Sequence, residues 1–216
     1  MNAASSPDQF TTEQVAQNLT GVVLAGGRAR RMGGEDKGLV SVGGRPMVSH
    51  VIDRMRPQVH TLVISANRNL ERYEEISSCA VIADAVGDFG GPLAGMAAAM
   101  DAATTLFLLT APCDSPLLID DIALRLYVQL VKENAEISVA HDGERMQPVF
   151  ALISCNLFGS LMDYLESGEA KIDRWYETRR LTCTDLSDQS DMFLNINAPE
   201  DRGMLEEKLG GVVNEA

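Results

Sequence analysis

Cysteine is scarce and scattered in this chain. Cys79, Cys113, Cys155 and Cys183 form no CxxC pair. That argues against a zinc ribbon or a disulfide scaffold and leaves reduced, buried or half-buried thiols as the expectation. Basic residues are outnumbered, with Lys+Arg at 18 against Asp+Glu at 31 and a formal net charge of -13. Such a chain is not built to bind bulk nucleic acid or an anionic membrane surface. No apolar run approaches a membrane span. The opening MNAASSPDQF lacks the basic and apolar regions of a secretion signal, so a cytoplasmic protein is expected. Aromatics make up 5% of residues. The single Trp175 and its neighbour Tyr176 are expected to pack, and the isolated His50, His60 and His141 are given no role. There is no internal repeat. A Gly-rich loop is present, but no Gly-Lys-Ser/Thr follows it at Walker spacing, and GxGxxG is absent.

What is present is enough for one folded domain. The chain has 216 residues, 45% of them hydrophobic, which can bury a core without covalent staples. The domain is expected over 19–210, after a polar lead at 1–18 in which Thr12 to Val15 could start a short helix.

The stretch GVVLAGGRARRMGGEDK, from Gly21 to Lys37, organises the rest. Val22 to Ala25 reads as a buried strand that runs into a tight loop at Gly26-Gly27. From Arg28 to Arg45 come five basic residues (Arg28, Arg30, Arg31, Lys37, Arg45) against Glu35 and Asp36. A strand, a loop with free N–H groups and then fixed positive charge is a way to hold a polyphosphate.

Strands and helices then alternate. After an extended Gly38–Val42 come a helix over Pro46–Met55, a strand over Thr61–Ser65 and a polar helix over Arg68–Ile76. A strand over Ala80–Ala83 follows, then a helix over Leu93–Ala103. Next are an apolar strand over Leu106–Leu109 and a helix over Ile119–Lys132 with Asp120 and Asp121 in its first turn. Two strands, Ile137–Ala140 and Pro148–Ile153, precede helices at Asn156–Glu166 and Ile172–Thr178. A strand over Thr182–Leu186 and a helix opening at Pro199 end the series. The alternation implies an α/β fold, a three-layer α/β/α sandwich on a mostly parallel sheet. Ligands of such sheets sit beyond the carboxyl ends of the strands, and Gly26, Ser65, Asp84 and Asp114 all fall at or just past predicted strand ends.

Asp114, between Pro112 and Pro116, is placed to hold Mg²⁺, which takes only one or two protein carboxylates; capping the following turn is the competing role. Lys37 is either a phosphate ligand or a solvated lysine. Asp84 is either a ligand or a turn residue. Gly91 and Gly95 bring backbone N–H groups towards a ligand or serve tight packing. Asn195 and Asn197 flank Ile196 and would point to one side, towards a ligand rich in donors and acceptors or into an Asx-turn.

LAGG followed by RRMGGEDK resembles the signature loop of nucleotidyltransferases that activate small molecules with a nucleoside triphosphate. Four further stretches come in the expected order: Gly43-Gly44-Arg45-Pro46, Gly91-Pro92-Leu93-Ala94-Gly95, Pro112-Cys113-Asp114-Ser115-Pro116 and Asn195-Ile196-Asn197-Ala198-Pro199-Glu200. Together they resemble the molybdenum cofactor guanylyltransferase family, from about Leu19 to Leu209. The resemblance implies a Rossmann-like nucleotidyltransferase fold, GTP and Mo-molybdopterin as substrates, and Mg²⁺ on Asp114. It implies catalytic roles for Lys37, Arg31 and Asp114. It implies nucleotide contacts at Leu24, Ala25, Gly26, Gly27 and Lys37, and also at Asn67, Asp84, Gly91 and Asp114. Asn195 and Asn197 would meet the pterin. Ser65 stands where similar proteins have asparagine. Transient contact with other cofactor-biosynthesis proteins and molybdoenzymes follows from the same resemblance. A cytidylyl- or sugar-phosphate nucleotidyltransferase, or a non-catalytic nucleotide-binding module, stays open as the alternative.

Overall fold

Strand β1 (Leu19–Leu24) sends successive side chains to opposite faces, and each face meets its own hydrophobic core. Leu19 and Val23 point to one side, Val22 to the other. The computed structural model describes residues 10–26, 36–83, 91–194 and 199–213. Within them, the sheet runs β5 (Ala80–Ile82), β4 (Thr61–Ser65), β1, β6 (Phe107–Pro112), β8 (Met146–Ser154), β7 (Ile137–His141) and β9 (Leu181–Asp185). Every neighbouring pair is parallel except those of β8, which runs against both β6 and β7. A separate antiparallel hairpin joins β2 (Ser41–Val42) to β3 (Arg45–Pro46).

Helices cover both faces, as a mostly parallel sheet requires. One core gathers α1 (Thr12–Ala16), α2 (Met47–Met55), α3 (Leu70–Ser77) and α5 (Ile122–Lys132) over Leu62, Ile64 and Leu109. The other gathers α4 (Pro92–Ala102), α6 (Phe158–Glu166) and α7 (Ile172–Glu177) over Val63, Leu108 and Ile153. Residues Leu93 to Met100 of α4 are all buried, because small side chains let this helix lie close between sheet and α6. Trp175 and Tyr176 are fully buried packing residues, as expected. In α8 (Pro199–Val213), Leu205 packs on Val42 and Met47, while Gly43 N–H donates to Glu206 at 3.1 Å.

Several boundaries differ from those expected, each for a local reason. Helix α5 starts at Ile122, so Asp120 and Asp121 precede its first turn. Their carboxylates go to guanidinium groups instead: Asp120 to Arg54, Asp121 to Arg125. Residues Lys37–Leu39 form a 3-10 turn, and only Ser41–Val42 are extended. A 3-10 turn over Cys155–Leu157 precedes α6. The lead helix α1 carries a full capping box between Thr11 and Gln14 and buries Val15. Cys183 is exposed rather than half-buried.

Strand β8 departs from regular pairing at the carboxyl edge of the sheet. Its ladder with β6 stops at Thr110–Ala151, and its register with β7 jumps so that Ala140 faces Gln147. Pro148 has no N–H to offer a ladder. The freed carbonyls are met by side chains: Tyr176 Oη donates to Pro148 at 2.9 Å and Thr110 Oγ1 to Val149 at 2.7 Å. Bulges of this kind gather next to active sites.

Candidate functional site

The chain leaves β1 for β4 on one side and later places β6 on the other, so a crevice opens beyond the carboxyl ends of β1 and β6. Hydrogen bonds between consecutive strand exits make that edge firm. Ala25 N–H donates to Ser65 at 2.8 Å, Ala66 N–H to Ile82 at 3.0 Å and Cys113 N–H to Leu24 at 3.1 Å. Helix α4 begins at this edge with Gly91 at its N-cap (φ 118°) and Pro92 in its first turn. Its start lies so close to the strands that a Cβ on Gly95 would stand 2.5 Å from Ser65 Oγ and 2.9 Å from Leu24 Cδ2. The first N–H groups of such a helix have no partners within it.

Lys37 and Asp114 meet across the crevice, Nζ donating to Oδ2 at 3.3 Å. Both are partly buried, with side-chain exposures of 30% and 16%. An ammonium and a carboxylate thus stand side by side just past the carboxyl ends of β1 and β6. Among the described residues no three His, Cys, Asp or Glu side chains converge. Asp114 is a carboxylate of this edge that could hold Mg²⁺, an ion that takes only one or two protein carboxylates.

Lys37 is fixed from below. Asp36 is 7% exposed and accepts from Tyr73 Oη at 2.6 Å and Asn69 Nδ2 at 2.9 Å, with Arg68 Nε at 3.4 Å. Burial pushes the Tyr73 hydroxyl well above the usual phenol range, so it stays protonated and donates. Gly38 lies against the same group: a Cβ there would be 2.5 Å from Tyr73 Oη and 3.1 Å from Cys113 Sγ. Burial first, then the Asp114 carboxylate, raise the Cys113 thiol far above its ordinary value. Cys113 is thus a neutral packing group, not a nucleophile.

Of the residues expected at the site, Leu24, Ala25, Gly26, Asn67, Gly91, Lys37 and Asp114 lie along this edge or in the turns that leave it. Asn67 is exposed just past β4, and Ser65 is buried under Gly95. Gly27, Arg31, Asp84, Asn195 and Asn197 lie outside the described residues, as do Arg28 and Arg30. Arg45, counted among the local positive charges, pairs with Asp53 of α2 at 2.7 Å. Asp36 and Tyr73 escaped sequence reasoning. The only available signal was the run Asp-Lys-Gly, in which Asp36 counted merely as an acid offsetting nearby bases.

The sequence matches the family described as MobA-like NTP transferase domain over residues 21–183. It is 47% identical over 191 residues to the molybdenum cofactor guanylyltransferase of Shewanella sediminis, covering 88% of this chain and 97% of that protein. The protein of the same description from Shewanella loihica is 45% identical over 195 residues, covering 90% and 99%. Among solved structures, molybdopterin-guanine dinucleotide biosynthesis protein A from Archaeoglobus fulgidus superposes with a TM-score of 0.73 at 23% identity, over 89% of this chain and 99% of that one. A 4-diphosphocytidyl-2C-methyl-D-erythritol synthase from Anaerococcus prevotii gives 0.69 at 12% identity, over 90% and 97%. These last two likenesses are of fold. The chain belongs to the MobA-like NTP transferases, and among them to the molybdenum cofactor guanylyltransferases.

Proposed function

We propose that this nucleotidyltransferase moves GMP from GTP to the terminal phosphate of Mo-molybdopterin, releasing pyrophosphate and leaving the guanine dinucleotide form of the cofactor. The observation that carries the reading is the Lys37–Asp114 pair at the mouth of the β1–β6 crevice, in a chain aligned almost end to end with guanylyltransferases.

The acceptor phosphate is largely ionised at neutral pH, since its second pKa lies near 6. Attack on the α-phosphorus therefore needs no strong base and no covalent enzyme intermediate. The protein's task is to align the two phosphates and to offset charge on the departing pyrophosphate. Backbone amides of Gly26 and Gly27, the Lys37 ammonium and Arg31 would take the β- and γ-phosphates. The N-terminus of α4 at Gly91 would face the phosphate chain. Leu24, Ala25, Asn67 and Asp84 would contact the rest of the nucleotide, and Asn195 and Asn197 the pterin. Asp114 would hold Mg²⁺, which when bound supplies positive charge beside the α-phosphate. Among the described residues no helix is long and apolar enough to cross a membrane. The proposed reaction belongs in the cytoplasm, with hand-over of the product to other cofactor-biosynthesis proteins and molybdoenzymes.

Pyrophosphate release, followed in a single turnover with Mo-molybdopterin and Mg²⁺, tests the reading. Release with GTP and none with CTP is the expected result. Release with CTP alone would replace it with a cytidylyltransferase, and release with neither would leave only a nucleotide-binding module.

A further inference from the structure

Asp36 precedes Lys37 in the chain, yet its carboxylate is buried among donors from the start of α3. A buried carboxylate is costly unless several donors answer it. Here the surroundings give up local preferences to do so. Asn69 occupies the N-cap position of α3 but caps nothing with its side chain, and its backbone is left-handed (φ 53°). Its amide goes to Asp36 instead. Tyr73 is fully buried and still directs its hydroxyl to the same carboxylate.

The backbone that these donors hold is the 3-10 turn bearing Lys37. Leu39 N–H donates to the Asp36 carbonyl at 2.9 Å and Val40 N–H to that of Lys37 at 3.2 Å. Gly38 is pressed against Tyr73 and Cys113, the residue before Asp114. One clamp thus joins the start of α3, the Lys37 turn and the exit of β6.

We propose that Asp36 and Tyr73 are positioning residues of the transfer reaction: they fix the backbone of Lys37 so that its ammonium meets the triphosphate beside Asp114, and they do not touch substrate themselves. The inference rests on the assignment of Lys37 to the β- and γ-phosphates. A lysine on a free loop must be ordered when the nucleotide binds, whereas a pre-ordered one is not charged that entropy.

Tyr73→Phe removes the donor and keeps the ring that fills the core. GTP and GMP are titrated, each with Mg²⁺, into the wild type, Tyr73→Phe, Lys37→Ala and the double variant, and the melting temperature of each is recorded. Loss of a hydrogen bond to a charged group should weaken GTP about tenfold and leave GMP unchanged. In the Lys37→Ala background the same change should cost nothing more, because the residue it acts through is gone. Asn69→Ala removes the second donor and should repeat the pattern. It serves as the test if Tyr73→Phe lowers the folded fraction. Equal weakening of GTP and GMP, or a GTP loss that persists in Lys37→Ala, would overturn the proposal while leaving the role of Lys37 intact. Unaltered GTP affinity in Lys37→Ala would instead overturn the role of Lys37, and the proposal with it.

Discussion

A methyl group added at Gly38 has no space to occupy. It would stand 2.5 Å from Tyr73 Oη and 3.1 Å from Cys113 Sγ. Neither neighbour gives way easily, since both are buried and Tyr73 is tied to Asp36 at 2.6 Å. Gly38→Ala must therefore displace the Lys37 turn or the Tyr73 ring. Overpacking of this kind costs about 1–3 kcal/mol, which for a domain of this size lowers the melting temperature by roughly 2–12 °C. The same shift would carry Lys37 away from Asp114, so GTP turnover should fall by more than the loss of folded protein explains. Tyr73→Phe removes the nearest atom. The double variant Gly38→Ala/Tyr73→Phe should then be destabilised by less than the sum of the two single changes, as expected for residues in contact. Thermal unfolding of the four proteins, with turnover measured well below each midpoint, decides the matter. A Gly38→Ala protein with unchanged midpoint and turnover would refute the close approach. Strict additivity would refute the contact with Tyr73.

Three other variants probe the metal site, an acidic turn and the pterin contact. Asp114→Asn should keep the fold and lower the transfer rate about 10²–10³-fold, the usual effect of losing one preorganised charge contact. Unchanged turnover at saturating Mg²⁺ would remove Asp114 from the metal site. Asp142 is held down to about 2 by the backbone N–H groups of Arg145 and Glu144 and then by the Gln147 side chain. With the folded value depressed, its stabilisation is present above an unfolded value of about 3.9 and is lost as the pH falls through about 2. Urea unfolding of wild type and Asp142→Asn should therefore differ near neutrality and converge in strong acid; a constant difference at every pH would contradict this. Replacing Asn195 and Asn197 together by alanine should weaken molybdopterin and spare GTP, each lost hydrogen bond being worth about 0.5–1.5 kcal/mol. A calorimetric titration showing the reverse would reassign that segment.

The sheet was legible wherever a strand is an apolar run between turn residues. Val22 and Val23, Leu62 to Ile64 and Leu108 to Leu109 lie in such runs and are buried on both faces. The site edge was legible for a related reason: in a parallel sheet the residue after each strand falls on the same edge, which brings Gly26, Ser65 and Asp114 together. Local pattern gave no warning where a distant partner decides. Asp120 and Asp121 read as a helix start, but Arg54 and Arg125 claim their carboxylates, and the helix begins later. Asp36 and Tyr73 are 37 residues apart, and nothing in either neighbourhood marks the other. The sequence opens a strand at Pro148, whereas β8 begins at Met146, and the bulge at Pro148 is tolerated because Thr110 and Tyr176 satisfy the carbonyls it frees.

GMP transfer itself can be followed with GTP carrying a labelled α-phosphate, incubated with the protein, Mg²⁺ and Mo-molybdopterin. Transfer of GMP puts the α-label in a pterin-containing guanine dinucleotide, while label on the γ-phosphate appears only in pyrophosphate. An α-label that stays in free GMP, or a γ-label that reaches the pterin, would contradict it.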